Sequence, residues 1–191
     1  MKKILASALL LVYFYSYSTA QPDSISAYKK TTAMIPMRDG VKLFTVIFTP
    51  VNASGPSPIL IQRTPYGADR PDNFDLLHYA YLGNMAREGY IFVWQDIRGK
   101  YKSEGNMQIH QPLVHATQPG AIDESTDTYD AIDWLVKNVP ANNGKVGLLG
   151  ISYPGWLTLV GSVDPHPALK ASSEQACMGD LFLGDDFHHN G

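Results

Sequence analysis

One apolar run that turns abruptly around a serine constrains this chain more than any other stretch: Lys145-Val146-Gly147-Leu148-Leu149-Gly150-Ile151-Ser152-Tyr153-Pro154-Gly155. Val146 to Leu149 is short and unalternated, as a strand buried on both faces of a parallel sheet must be, and Gly150 and Gly155 bracket a turn. A serine in that turn sits at the carboxyl edge of the sheet. There a base can reach its hydroxyl, and the first N–H groups of the following helix can hold an oxyanion. The common spelling G-x-S-x-G is altered, with Pro154 two residues after Ser152 and glycine one residue later. An elbow remains physically possible, because proline fits the first turn of a helix and Tyr153 keeps its N–H. The bland alternative is a serine N-cap in an ordinary turn.

The 191 residues carry 15 basic and 18 acidic side chains without charge runs, as one globular domain would. Residues 1–20 read as a secretory signal: Lys2 and Lys3, an apolar stretch from Ile4 to Tyr15, then Ser18-Thr19-Ala20 before Gln21. That segment is too short to span a membrane. Removing it takes away two lysines and no acid, which deepens the formal charge of −3 and disfavours nucleic-acid binding. The single Cys177 can form no internal disulfide, and no cysteine near the cleavage site offers a lipid anchor. The expected location is therefore secreted or periplasmic, with no stable membrane anchor.

Along the chain, Tyr28 to Met37 and Val41 to Thr49 read as a hairpin around Arg38-Asp39-Gly40. Ile59 to Ile61 is a third strand, ended by Pro65 and Gly67, which leaves Tyr66 just past a strand end. A helix is expected over Phe74 to Glu88, a buried strand over Tyr90 to Trp94, and a long loop over residues 106–122. Asp123 is placed to cap a helix whose first turns carry Glu124 and Asp127. Ala141 to Gly144 ends that helix, the elbow strand follows, and a helix from Tyr153 to about Val163 leads to a last strand over Ala168 to Ala176. The alternation predicts an α/β fold with a mainly parallel sheet, whose site lies beyond the strand carboxyl ends, where Tyr66, Asp96 and Ser152 all fall.

A serine hydroxyl becomes a competent nucleophile only when a histidine accepts its proton and a carboxylate orients that histidine. In this fold acid and base follow the serine, and there is no room for both before His188 and His189. His166, in a proline-flanked loop, reads as a surface residue. Asp185, Asp186, His188 and His189 are too closely spaced to share one metal, so no metal is expected. The sequence has no phosphate loop or dinucleotide fingerprint, and no cofactor is expected.

Ser152-Tyr153-Pro154-Gly155, Thr64-Pro65-Tyr66 and Gln95-Asp96-Ile97-Arg98-Gly99, in that spacing, resemble the cocaine esterase/X-Pro dipeptidyl-peptidase (CocE/NonD) superfamily of α/β-hydrolases. The likeness covers roughly residues 30–191 and is nearest to the α-amino-acid ester hydrolases, whose elbow reads G-x-S-Y-x-G. The resemblance implies Ser152 as nucleophile, with the Tyr153 backbone N–H and the Tyr66 phenol as the oxyanion hole. It also implies that Asp186 belongs to a carboxylate cluster holding a substrate's α-ammonium group, with Asp185 in a supporting place. Asp96 and Arg98 are expected to lock their own loop. The family further implies a triad aspartate and histidine, a helical cap and a jelly-roll domain, all beyond residue 191.

The expected organisation is thus a signal peptide over residues 1–20 and the N-terminal portion of an α/β-hydrolase catalytic domain over 21–191. This piece alone is expected to be inactive, and poorly folded if half a sheet leaves an edge and an apolar face uncovered. The expected activity is hydrolysis of α-amino-acid esters or amino-acyl β-lactam amides through an acyl-enzyme, on a small-molecule substrate. The enzyme alternatives are an X-Pro dipeptidyl peptidase or a glutaryl acylase, and the alternative of another class is a catalytically dead binding module. Relatives suggest a homo-oligomer for the full-length form.

Overall fold

The computed structural model describes residues 28–75, 80–115 and 118–179. Residues 1–20, expected to be a signal, and Asp185, Asp186, His188 and His189 lie outside the described residues. Tyr28–Pro36 (β1) and Lys42–Pro50 (β2) form the opening hairpin, with Pro36 opposite Lys42. Its turn is closed by Gly40 at φ 85°, whose N–H donates to the Met37 carbonyl. Next come Ser57–Thr64 (β3), the short helix Pro71–Asp75 (α1), Ala80–Arg87 (α2) and Ile91–Asp96 (β4). Glu124–Asn138 (α3), Asn142–Ile151 (β5), Tyr153–Gly161 (α4) and Leu169–Gln175 (β6) complete the order.

The six strands make one sheet in the order β1-β2-β4-β3-β5-β6. β2 runs antiparallel to β4, while β3 pairs in parallel with β4 and β5, and β5 pairs in parallel with β6. The mainly parallel α/β sheet expected from the alternation of elements is therefore observed. Period-two alternation divides its apolar residues between two faces. Ile91 and Val93 join Leu43, Ile47, Ile59, Ile61 and Leu148 under α3, which contributes Ala131, Ile132 and Leu135. Phe92 and Trp94 join Phe44, Val46 and Phe48 on the other face, where α2 contributes Leu82 and Ala86. Each of the buried Leu, Ile and Val side chains among these contributes about 1.5–3 kcal/mol relative to leaving it exposed.

Several boundaries differ from the pattern reading. β3 extends three residues past Ile61, which carries Arg63 into the interior. Of the helix expected over 74–88, the described parts are α1, which starts earlier at Pro71, and α2. β5 begins at Asn142 rather than after Gly144, because that asparagine does two things at once. Its backbone opposes Ser57, while its side-chain amide donates to the carbonyls of Val139 (2.6 Å) and Val136 (3.1 Å) at the end of α3. Asp123 caps α3 as expected: its Oδ1 accepts from the N–H groups of Ser125 and Thr126, and the Thr126 hydroxyl accepts from the Asp123 N–H.

Candidate active site

Ser152 stands between β5 and α4 at φ 64° and ψ −124°, a conformation costly for a residue with a Cβ. Its side chain makes no capping bond, so the N-cap alternative does not describe it. The turn is held by its backbone: the Ser152 N–H donates to Gln175 O (2.9 Å) on β6, and its carbonyl accepts from Trp156 N–H (3.0 Å). Both flanking glycines are sterically required. A Cβ on Gly150 would stand 2.0 Å from the Pro154 carbonyl oxygen, and one on Gly155 would stand 2.4 Å from Gln175 O. The displaced glycine thus marks where the first turn of α4 crosses the backbone of β6.

The first N–H groups of a helix have no intrahelical acceptor, so Tyr153 N–H, next to an exposed Ser152, is available to a ligand. Across from it, Tyr66 is half exposed at the end of β3. Its loop is pinned from several directions. Tyr66 N–H donates to Thr64 Oγ1 (3.0 Å), Ala68 N–H to Asp96 Oδ1 (2.6 Å), and the Asn73 side chain to Ala68 O (2.6 Å). Tyr66, Ser152 and Tyr153 line one cavity of about 580 Å³, whose walls are made largely apolar by Tyr101, Met107, Ile109 and Met178.

Asp96 is the hub of the loops around this cavity. It is buried, and its second oxygen accepts from Lys102 N–H (3.3 Å). Burial pushes its carboxyl up, against the lowering by the Ala68 and Lys102 amides. Arg98 reaches beyond its own loop, to Asp39 in the hairpin turn (2.7 Å) and to Asp127 on α3 (2.7 Å). The expected scaffold roles of Asp96 and Arg98 therefore extend to three neighbouring elements.

Pattern reading missed two residues here. His110, at φ 45°, lies in the aperiodic loop after β4, and its ring stacks on Tyr153 (4.5 Å) and tilts on Trp156 (4.7 Å). Its N–H donates to the Tyr153 phenol oxygen (3.2 Å), so the Tyr153 side chain fastens the cavity wall. Arg63 is buried under the site and reaches Glu124 (2.8 Å), Gln95 Oε1 (2.9 Å) and Thr128 Oγ1 (2.8 Å). Gln95 in turn donates to Thr45 Oγ1 (3.0 Å), which completes a polar ladder across β2, β4 and β3. Burial pushes the Glu124 carboxyl up, opposed by the Arg63 charge.

His166 is not the surface residue expected. It is half-buried away from the cavity, accepting from Ala168 N–H (3.0 Å), 3.4 Å from Asp133 and edge-on to Tyr129 (4.7 Å). No Asp or Glu is among the described residues lining the cavity.

His115 forms a separate clasp, its two ring nitrogens on Asp123 (2.6 Å) and Asp164 (2.5 Å), with Arg38 and Tyr129 lining the same hollow. The bonds to Asp123, then to Asp164, raise its pKa. A raised histidine contributes stability fully below its unfolded pKa and loses it as pH rises through the folded one. The melting-temperature advantage of the wild type over His115→Gln is therefore expected to be larger at about pH 6 than at about pH 9. An equal difference at both would disprove the clasp.

The model of the X-Pro dipeptidyl-peptidase (S15) family matches residues 39–191. The chain belongs to that family. This S15 chain is 31% identical over 156 residues to cocaine esterase of Rhodococcus sp. (strain MB1 Bresler), covering 80% of this chain and 24% of that protein. Among solved structures it resembles an α-amino acid ester hydrolase, at 43% identity and TM-score 0.75, covering 89% of this chain and 29% of that one. It also resembles an aminopeptidase from a marine sediment archaeon, Thaumarchaeota archaeon, at 42% identity and TM-score 0.74, covering 91% and 29%. The S15 chain spans about a quarter of the length of the curated relatives it matches. The expected resemblance and the α/β-hydrolase sheet are thereby established.

Proposed function

We propose that this chain carries the nucleophile and oxyanion hole of a serine hydrolase that cleaves α-amino-acid esters or amino-acyl amides, including amino-acyl β-lactams. The observation that carries this reading is the uncapped, strained Ser152 opening into the same cavity as Tyr66. A base takes the Ser152 proton as Oγ attacks the carbonyl carbon, and the oxyanion is held by Tyr153 N–H and the Tyr66 phenol. As the intermediate collapses the base gives that proton to the leaving oxygen or nitrogen, the scissile bond breaks to release the alcohol or amine, and water, deprotonated by the same base, then hydrolyses the acyl-enzyme. The phenol bond strengthens as charge develops on the oxygen, which lowers the barrier rather than merely binding substrate. The triad acid and base come from residues beyond 191, so the 191-residue piece alone is inactive and Ser152 in it resists fluorophosphonate. Labelling of the isolated piece would contradict this.

Asp186 binds the substrate ammonium, which favours amino-acyl over glutaryl substrates. Asp186→Asn is expected to raise KM for α-amino esters about tenfold or more while sparing des-amino analogues, and Tyr66→Phe to lower kcat about 10²-fold. Equal loss on both substrate sets would remove the ammonium role, and an unaltered kcat in Tyr66→Phe would remove the phenol from the oxyanion hole. The family description and the archaeal aminopeptidase favour a second reading, cleavage of peptide amides such as X-Pro bonds. Turnover confined to amides with proline second from the amino terminus, with no ester cleavage, would select it. Residues 1–20 direct export to the periplasm or medium, and a mature protein that does not begin near Gln21 would refute that. The full-length form assembles as a homo-oligomer, to be checked by native mass.

A further inference from the structure

Three cations follow β4 in close succession, and two of them are paired. Arg98 bridges Asp39 and Asp127, and Lys102 Nζ lies 2.6 Å from Asp69. Lys100 has no ion pair among the described residues, and among those lining the Ser152 cavity it is the one carrying a formal charge. Its backbone is held in a tight turn, with its N–H donating to Ile97 O (3.1 Å) and its carbonyl accepting from Ser103 N–H (2.9 Å). Gly99 before it, at φ 69°, passes so close to Met107 that a Cβ would lie 2.2 Å from the Met107 nitrogen. The Ser103 hydroxyl anchors the same turn to Asp96 O (2.7 Å). The ammonium is 5.9 Å from the centroid of Tyr101, itself a cavity wall.

An ammonium at the edge of an apolar cavity is satisfied by water until a ligand displaces that water. A ligand carboxylate then replaces it with a charge-assisted bond in a less polar setting, where the attraction is stronger. Because the turn is fixed by backbone bonds, little ordering beyond the lysine side chain is needed. We propose that Lys100 forms an anion subsite of the Ser152 cavity that takes a carboxylate on the leaving group of the substrate. This rests on the α-amino-acyl reading: an acyl half bearing an ammonium is repelled by Lys100, so the anion belongs to the departing half. The substrate class is then a zwitterion, an amino-acyl amide or ester whose leaving group keeps a free carboxylate, such as a dipeptide or an amino-acyl β-lactam.

In the natural full-length protein, kcat/KM is compared for an amino-acyl amide whose leaving group ends in a free carboxylate and for the same compound capped as a primary amide. Lys100→Met is expected to lower the free-acid to capped ratio about tenfold, mainly through KM, and Lys100→Arg to keep most of it. Salt is expected to depress the wild-type ratio but not that of Lys100→Met. An unchanged ratio in Lys100→Met overturns the subsite. A second pair, glutaryl against pentanoyl anilide, tests the acyl side, and a Lys100-dependent ratio appearing only there overturns the leaving-group assignment. Failure of the parent reading looks different: removing the α-amino group from the substrate then leaves wild-type kcat/KM unaltered, whatever Lys100 does.

Discussion

Ser152→Ala in the full-length protein is expected to reduce turnover by about 10⁴- to 10⁶-fold while leaving the unfolding midpoint close to that of the wild type. The two halves of that result have separate causes. The hydroxyl is exposed and caps nothing, so deleting it removes no structural bond. The elbow is built from the Ser152 amide and carbonyl, from Gly150 and from Gly155, and alanine retains the first two. Loss of activity with an intact midpoint therefore isolates chemistry from folding. Residual turnover within about tenfold of wild type would mean that another group performs the attack.

Arg63→Met is expected to destabilise the protein by about 3–5 kcal/mol at neutral pH, because it strands Glu124 as a buried acid, whereas Asp127 keeps Arg98 as its partner. The loss should shrink as pH falls. Burial raises the Glu124 carboxyl, so the folded state binds its proton at a higher pH than the unfolded chain does. Between those two pKa values the folded state holds more protons, and stability rises as pH decreases. Without the Arg63 charge that rise begins at a higher pH and so amounts to more, since the influence opposing burial is gone. Urea midpoints for wild type and variant at about pH 8 and about pH 5 measure this. A gap of the same size at both would show that Arg63 acts through packing rather than through its charge.

The parts of the fold that were legible in the sequence are those where local chemistry and tertiary burial agree. Val146 to Leu149 looks like a strand because both its faces are covered, and Asp123 looks like a cap because its carboxylate has nearby orphan amides to accept from. Arg63 was illegible for the opposite reason: a charged residue beside a turn reads as solvent-facing, and its partners come from β4, about thirty residues later, and from α3, about sixty residues later. Asn142 reads as a turn residue, yet its amide closes α3 while its backbone enters β5. Tyr66, Ser152 and Tyr153 could be singled out from motif spacing, and they share a cavity. His110 could not, because the sequence over residues 106–122 has no period for a pattern to detect, and the place of His110 is set by its contacts with Tyr153 and Trp156.

The amide of Ser152 bonds to Gln175 at the very end of β6, a strand whose residues are mostly exposed and which pairs within the described sheet only with β5. That single proton is consequently a reporter of local opening. Its exchange with deuterium requires the end of β6 to lift away, so its rate gives the free energy of that opening. The more slowly it exchanges, the less time the serine spends released from its strained backbone.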